Sequence, residues 1–159
     1  MSKQLTSQID IDASPTQVWG VLSDFAGYQE WNPFIVQADG TALAGCPLTL
    51  RLQPTEGRAV TVRPIVLDAQ VDRRLRWLGR LGIPGVMDAD HVFTIERRAD
   101  GGVRLRQDEM FSGVLVPFLA RSLDRATLPA FHAMNEALKR RAERAASIRL
   151  GGPFRSASS

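Results

Sequence analysis

Two histidines occur in the 159 residues, and one of them, His91, stands in a segment whose parity turns it inward together with other polar groups. Around it Met87, Ala89, Phe93 and Ile95 share its parity, and in the next apolar run Val103, Leu105 and Phe111 share the parity of Gln107 and Glu109. The Asp100-Gly101-Gly102 turn between the runs predicts a hairpin. For both apolar faces to point the same way, paired residue numbers must sum to an even number of about 200. That register sets His91 opposite or diagonal to Glu109, and Gln107 opposite Phe93. An imidazole, a carboxylate and an amide on stripes built for burial are costly to keep dry, so they predict a cavity holding water or the polar group of a ligand. The pair could orient a ligand hydroxyl or carbonyl, or shuttle a proton. The structural alternative is that Glu109 satisfies His91 and both stabilise the sheet.

Other chemistries have less support. One His with one Glu falls short of a zinc site, and His132 lies in a distant helical segment beside the apolar stripe, so no metal is expected. Asp88 and Asp90 share the outward parity of their strand, and no second acidic cluster completes a calcium loop. The single cysteine, Cys46, sits in the turn Ala44-Gly45-Cys46-Pro47 with no histidine near it in sequence, and reads as a structural thiol. There is no Gly-x-Ser-x-Gly elbow, no Gly-x-Gly-x-x-Gly and no phosphate loop, so no cofactor is expected.

The elements that must position His91 and Glu109 follow from periodicity. Alternation at Leu5, Ile9 and Ile11 predicts a strand; Ser14-Pro15 predicts an N-cap and first-turn proline; Val18, Trp19, Val21, Leu22 and Phe25 give one buried helical face. Gly27 then breaks the chain before the Trp31-Asn32-Pro33 corner, so one or two short helices follow the first strand. From Phe34 to Gly113 the chain reads as an antiparallel meander, clearest at Leu48, Leu50 and Leu52 and continuing at Val60 and Val62. Pro64 is expected to shift the alternation onto Ile65 and Leu67 as a bulge or an edge, ahead of Leu75 and Trp77. After Gly113, Leu115, Leu119, Leu123, Met134 and Leu138 form a helical stripe with Phe131 beside it, kinked or divided at Pro129. The domain is expected over residues 3–146, with a disordered Gly/Ser-rich tail over 147–159.

Composition sets the bounds. A chain of this length supports one core, and 44% hydrophobic with 23% charged residues is ordinary for a globular domain. The net charge is +3, but the segment from Lys139 onward carries six basic residues and one acid, which leaves residues 1–138 at −2. Cations at a helix end complement its dipole, so no nucleic-acid partner is expected. One cysteine makes no intramolecular disulfide, residues 1–12 lack the apolar run of a signal peptide, and no stretch approaches a transmembrane span, so the expectation is a cytoplasmic protein.

The order of elements and the residues that punctuate it resemble the START-related SRPBCC superfamily, the birch-pollen-allergen-like or helix-grip fold, in its polyketide cyclase/dehydrase and lipid-transport-like branch. The resemblance spans residues 3–146. It rests on Ile11-Asp12-Ala13-Ser14-Pro15 followed by Val18-Trp19, and on Trp31-Asn32-Pro33-Phe34, His91-Val92-Phe93 and Glu109-Met110-Phe111-Ser112-Gly113. Phe131 with the run from Met134 to Lys139 completes it. The resemblance implies an α+β fold: a curved antiparallel sheet of about six to seven strands around a long C-terminal helix, with a cavity between them for hydrophobic ligands. Known members include lipid carriers, hormone receptors, aromatases and cyclases, so function must be argued from the cavity.

Trp31, Phe34 and Trp77 are the aromatic residues expected near that cavity, and Phe93 and Phe131 complete the candidate ligand-binding set with His91, Gln107 and Glu109. Arg73, Arg74, Arg76, Arg97, Arg104 and Arg106 are expected mostly on the solvated outer face. Residues 79–85, Gly-Arg-Leu-Gly-Ile-Pro-Gly, are too rich in Gly and Pro to continue a strand; a gate over the pocket, a plain connection and a homodimer contact stay open for them. The leading expectation is binding, or carriage, of a small hydrophobic molecule. A polyketide aromatase/cyclase or dehydratase is the rival class, and a protein-interaction module the third.

Overall fold

In the computed structural model, which describes residues 1–150, the first strand β1 (Ser2–Ile11) hands over to helix α1 (Pro15–Ser23) through a capping box. Ser14 Oγ accepts from the Gln17 N–H at 3.2 Å and Gln17 Oε1 accepts from the Ser14 N–H at 2.9 Å, which satisfies two otherwise unpaired donors. A 3-10 turn (Phe25–Gly27) and the single-turn helix α2 (Tyr28–Trp31) follow. Tyr28 is fully buried and its hydroxyl donates to the Leu22 carbonyl at 2.6 Å; burial pushes its pKa up, so the phenol stays neutral.

Eight strands form, one more than the upper figure of the six to seven expected. The addition is β2 (Ile35–Gly40), whose sequence Ile-Val-Gln-Ala-Asp-Gly hides its parity. It pairs with β3 (Leu48–Leu52), and β3 with β4 (Val60–Val62), in a three-stranded sheet. The larger sheet runs β1-β8-β7-β6-β5, built from β5 (Ile65–Gln70), β6 (Arg74–Arg80), β7 (Asp88–Arg97) and β8 (Val103–Ser112). The two sheets meet where Pro47 bridges Ile65 and the Leu48 N–H donates to Pro64 O at 2.8 Å. All pairings are antiparallel.

Two local expectations are corrected. Pro64 does not carry the alternation onto Ile65 and Leu67; both are exposed, Val66 between them is buried, and the bulge falls between Val66 and Asp68. The reason is that Pro64 separates two strands of different sheets instead of shifting one strand. Gly79 and Arg80 do continue β6, opposite Ala89 and Asp88. The Arg80 guanidinium lies 3.7 Å from the Asp88 carboxylate across the ladder, so only residues 81–87 form the loop.

The C-terminal helical segment is divided, as Pro129 requires. Helix α3 (Val116–Ala126) ends at Thr127, and α4 (Leu128–Leu150) has Pro129 as its second residue, where a missing N–H costs nothing. Phe131, Met134, Leu138 and Ala142 are fully buried, while Leu115 is exposed and Leu119 and Leu123 are half-buried, because α3 swings away from the sheet that α4 grips. Two bonds fasten α4 to β1: Asn135 Nδ2 donates to Ser7 Oγ at 2.9 Å, and Lys139 Nζ donates to Asp10 O at 2.7 Å. Helix α4 continues past residue 146, and the part of the expected tail beyond residue 150 lies outside the described residues. No helix among the described residues is long and apolar enough to cross a membrane.

Candidate functional site

Strand β7 pairs with β8 so that His91 faces Glu109 and Phe93 faces Gln107. The hairpin forms in this register because Asp100 Oδ1 accepts from the Gly102 N–H at 3.1 Å and Gly101 takes a positive φ of 89°. Opposite this face stands the small sheet, and between the two lies a cavity of about 410 Å³. Trp77, Ala89 and Phe111 form one wall, Ile35, Leu50 and Val62 the other. His91 and Glu109 stand at its buried end; Glu56, Leu81 and Ser122, all exposed, stand at its mouth.

Phe34 reaches the cavity because the preceding corner is fixed from within. Asn32 Oδ1 accepts from the N–H groups of Phe34 and Ile35 at 3.0 and 2.9 Å. This turns the chain out of α2 and aims Phe34 inward, edge-on to Phe131 at 5.6 Å.

His91 is boxed by rings: Trp77 stacks on it at 5.1 Å and 27°, with Phe93 at 4.6 Å and Phe131 at 5.2 Å. From behind, Gln107 Nε2 lies 3.0 Å from His91 Nε2. With the amide donating, Nδ1 carries the ring proton and points toward Glu109 Oε1, 3.4 Å away. That distance exceeds the roughly 2.7–2.9 Å of a charge-assisted hydrogen bond. His91 therefore leaves the Glu109 carboxylate with acceptor capacity facing the cavity.

Of the eight candidate residues, the cavity wall includes His91, Glu109, Phe34 and Trp77. The other four stand elsewhere. Gln107 is fully buried behind His91, and its second amide hydrogen points at Met134 Sδ, 3.8 Å away. Phe93 and Phe131 are fully buried against the imidazole and support it without lining the space. Trp31 is half-buried against Tyr28 at 5.0 Å, outside the lining. The cavity itself lies between the two sheets, capped by Leu123 and Thr127 at the α3–α4 junction, because Phe131 and Met134 fill the space directly beneath α4.

Sequence reasoning missed the small-sheet wall and the α3 cap. Parity did mark Met87, Ala89 and Phe111 as inward; nothing in the sequence marked Leu123 and Thr127 as cavity residues. Among the described residues no group of three His, Cys, Asp or Glu side chains is placed to hold a metal ion. The outer face carries ion pairs instead, such as Arg76 with Asp90 at 2.6 Å and Arg104 with Asp10 at 2.8 Å. The Arg104 hydrogen bond is the main reason the Asp10 carboxyl sits below its ordinary range.

The sequence profile described as polyketide cyclase / dehydrase and lipid transport matches residues 2–143. No curated protein matches the chain significantly. Among solved structures, the Zhui aromatase/cyclase from Streptomyces sp. R1128 superposes with a TM-score of 0.76 at 19% identity, covering 96% of this chain and 99% of that one. A START superfamily protein from Mycobacterium smegmatis gives 0.68 at 18% identity, covering 89% and 98%. Norcoclaurine synthase from Thalictrum flavum, in complex with dopamine and hydroxybenzaldehyde, gives 0.68 at 12% identity, covering 91% and 88%. At these identities the likeness is one of fold.

Proposed function

The chain belongs to the polyketide cyclase / dehydrase and lipid transport family, and from that premise we propose that its cavity binds a small hydrophobic molecule bearing a hydroxyl or carbonyl group. The observation that carries this reading is one buried polar pair, His91 and Glu109, in a mostly apolar lining whose other charged side chains, Glu56 and Arg80, are exposed. A volume of about 410 Å³ falls within the range of small-molecule sites, roughly 300–1,000 Å³. Burial against Leu50, Val62, Trp77 and Phe111 supplies affinity without direction. Direction comes from Glu109, which accepts from a ligand hydroxyl, and from His91, held in one orientation by Gln107.

Native mass spectrometry of the purified chain tests the reading, together with uptake of an apolar fluorescent probe and its displacement. A co-purifying mass or saturable, displaceable uptake is expected; the absence of both overturns it.

A second reading rests on the same pair. A carboxylate and an imidazole at the buried end of a mostly apolar cavity can move a proton on a folded polyketide-like chain, as an aromatase/cyclase or dehydratase requires. Incubation with such a chain separates the two: a carrier returns its ligand chemically unchanged, a dehydratase or aromatase returns it lighter by one water, and a cyclase that closes a ring without dehydration returns an isomer of equal mass and shifted chromatographic retention.

A further inference from the structure

Helix α3 has two unlike faces. Leu123, Ala126 and Thr127 line the cavity. Away from it, the two residues before the helix and one stripe of the helix read Val114, Leu115, Phe118, Arg121 and Arg125, apolar at the start, cationic at the end, and free of acids. Phe118 is 84% exposed and Val114 68%.

The 81–87 loop adds to this apolar end. The Val114 N–H donates to Gly85 O at 3.0 Å and the Leu115 N–H to Val86 O at 3.2 Å, so the loop lies against the start of α3. Gly113 permits the approach, since a Cβ there would stand 2.5 Å from Val86 O. Ile83, 71% exposed, and Leu81, 56% exposed and part of the cavity mouth, project from the loop. Large apolar side chains at such exposure on adjoining segments form an unpartnered patch beside the cavity entrance.

We infer that this end of the molecule docks on an anionic lipid bilayer, with the cavity mouth toward the membrane. The charge pattern selects that occupant. Arg121 and Arg125 lie about 5 and 10 Å along the helix axis from Phe118. With the start of α3 entering first, an insertion of roughly 5 Å that submerges Phe118 leaves Arg121 and Arg125, farther up the helix, level with or just above the lipid phosphates. Neither arginine has an ion-pair partner among the described residues, and Asp124, off this stripe, is paired with Lys3 at 2.9 Å. Ile83, Val114 and Phe118 project from a turn and a helix start instead of lining a groove, a shape suited to insertion. The docking surface stands independently of the ligand reading above.

Co-sedimentation of the full chain with phosphatidylcholine vesicles, with and without phosphatidylglycerol, tests it at low and high salt. Binding is expected only to the anionic vesicles, weakening with salt. The double variant Ile83→Asp/Phe118→Asp should lose more than roughly tenfold in affinity. Arg121→Gln and Arg125→Gln should each lose roughly fivefold at low salt. All these side chains are exposed, and circular dichroism melts should match wild type. Wild type left in the supernatant with anionic vesicles at low salt overturns the proposal, as do variants that sediment like wild type. Retention on immobilised polyglutamate without vesicle binding points to an acidic protein partner and also overturns it. Probe uptake in lipid-free buffer is read separately, so failure of docking and failure of ligand binding are told apart.

Discussion

Glu109 stands opposite His91 across the β7–β8 ladder, yet Oε1 is 3.4 Å from Nδ1, so the two are neighbours without a tight bond. The imidazole is fastened instead to Gln107 at 3.0 Å. An inward carboxylate that its strand partner does not consume is available to something else in the cavity.

Glu109→Gln therefore separates a ligand contact from a structural one. The amide keeps the shape and loses the charge, so the expected stability change is under about 1 kcal/mol, while affinity for a hydroxyl-bearing ligand falls roughly tenfold. A ligand of equal size without a polar group should bind both proteins alike. Thermal melts paired with probe displacement check this, and lost stability with intact binding would return Glu109 to the sheet.

In the proposed site Gln107 acts on the ligand only through His91. Replacement by Leu removes one buried hydrogen bond, but also removes an amide oxygen that has no partner among the described residues. These offset, and the net change should stay within about 1 kcal/mol. The imidazole then loses what fixes its tautomer, so the ring nitrogen shifts of His91 should move toward a mixture in Gln107→Leu. Unmoved shifts would remove Gln107 from its positioning role.

The site was half legible in the sequence. The Asp100-Gly101-Gly102 turn and the matched parity of two apolar stripes require an even register sum near 200, which sets Gln107 opposite Phe93 and His91 opposite or diagonal to Glu109; the structure takes the directly opposite pairing. Parity says which face a residue is on, and not how deep it lies. Gln107 shares its face with Glu109, yet Met134 and Phe131 of α4 close over that end of the strand, so this position is buried behind the imidazole and does not line the cavity. Phe34 and Trp31 flank one corner, and which of them turns inward is decided by the bonds of Asn32 to the backbone of Phe34 and Ile35. Such contacts across elements leave no periodic trace. The same holds for α3: its helical period is plain, but its departure from the sheet depends on Gly113 and the break at Pro129.

Acid stability should carry a signature of Glu143. Its carboxyl is held below the ordinary value of 4.5, first by the Lys139 ammonium at 2.7 Å and then by the Asp12 N–H at 2.9 Å, which ties α4 to the turn after β1. A lowered folded pKa means that the stabilisation is present above the unfolded value and is lost as pH falls through the folded one. The group is partly solvated, so the contribution is under about 1 kcal/mol. Glu143→Gln should lower the melting temperature near neutral pH and converge with wild type in acid; a constant offset down to acid pH would contradict the assignment.

Filling the cavity distinguishes it from any other binding place. Ala89 points inward on β7 opposite Gly79 of β6, and these two small residues leave the wall recessed beside His91. A phenyl ring at position 89 has no strand neighbour to displace on that side and must enter the open space. Occupying apolar void recovers contacts, at roughly 24 cal/mol for each Å³ of cavity removed, whereas overpacking costs about 1–3 kcal/mol. Against about 410 Å³ of room the first effect should win, and Ala89→Phe should melt at or above the wild-type temperature. Probe uptake should fall more than roughly tenfold, since the ring takes the volume that apolar burial of a ligand needs. Leu52→Phe on the facing wall, also directed into the cavity, should act in the same direction. Two variants that fold and still take up the probe with wild-type affinity would mean that the ligand does not enter between the sheets.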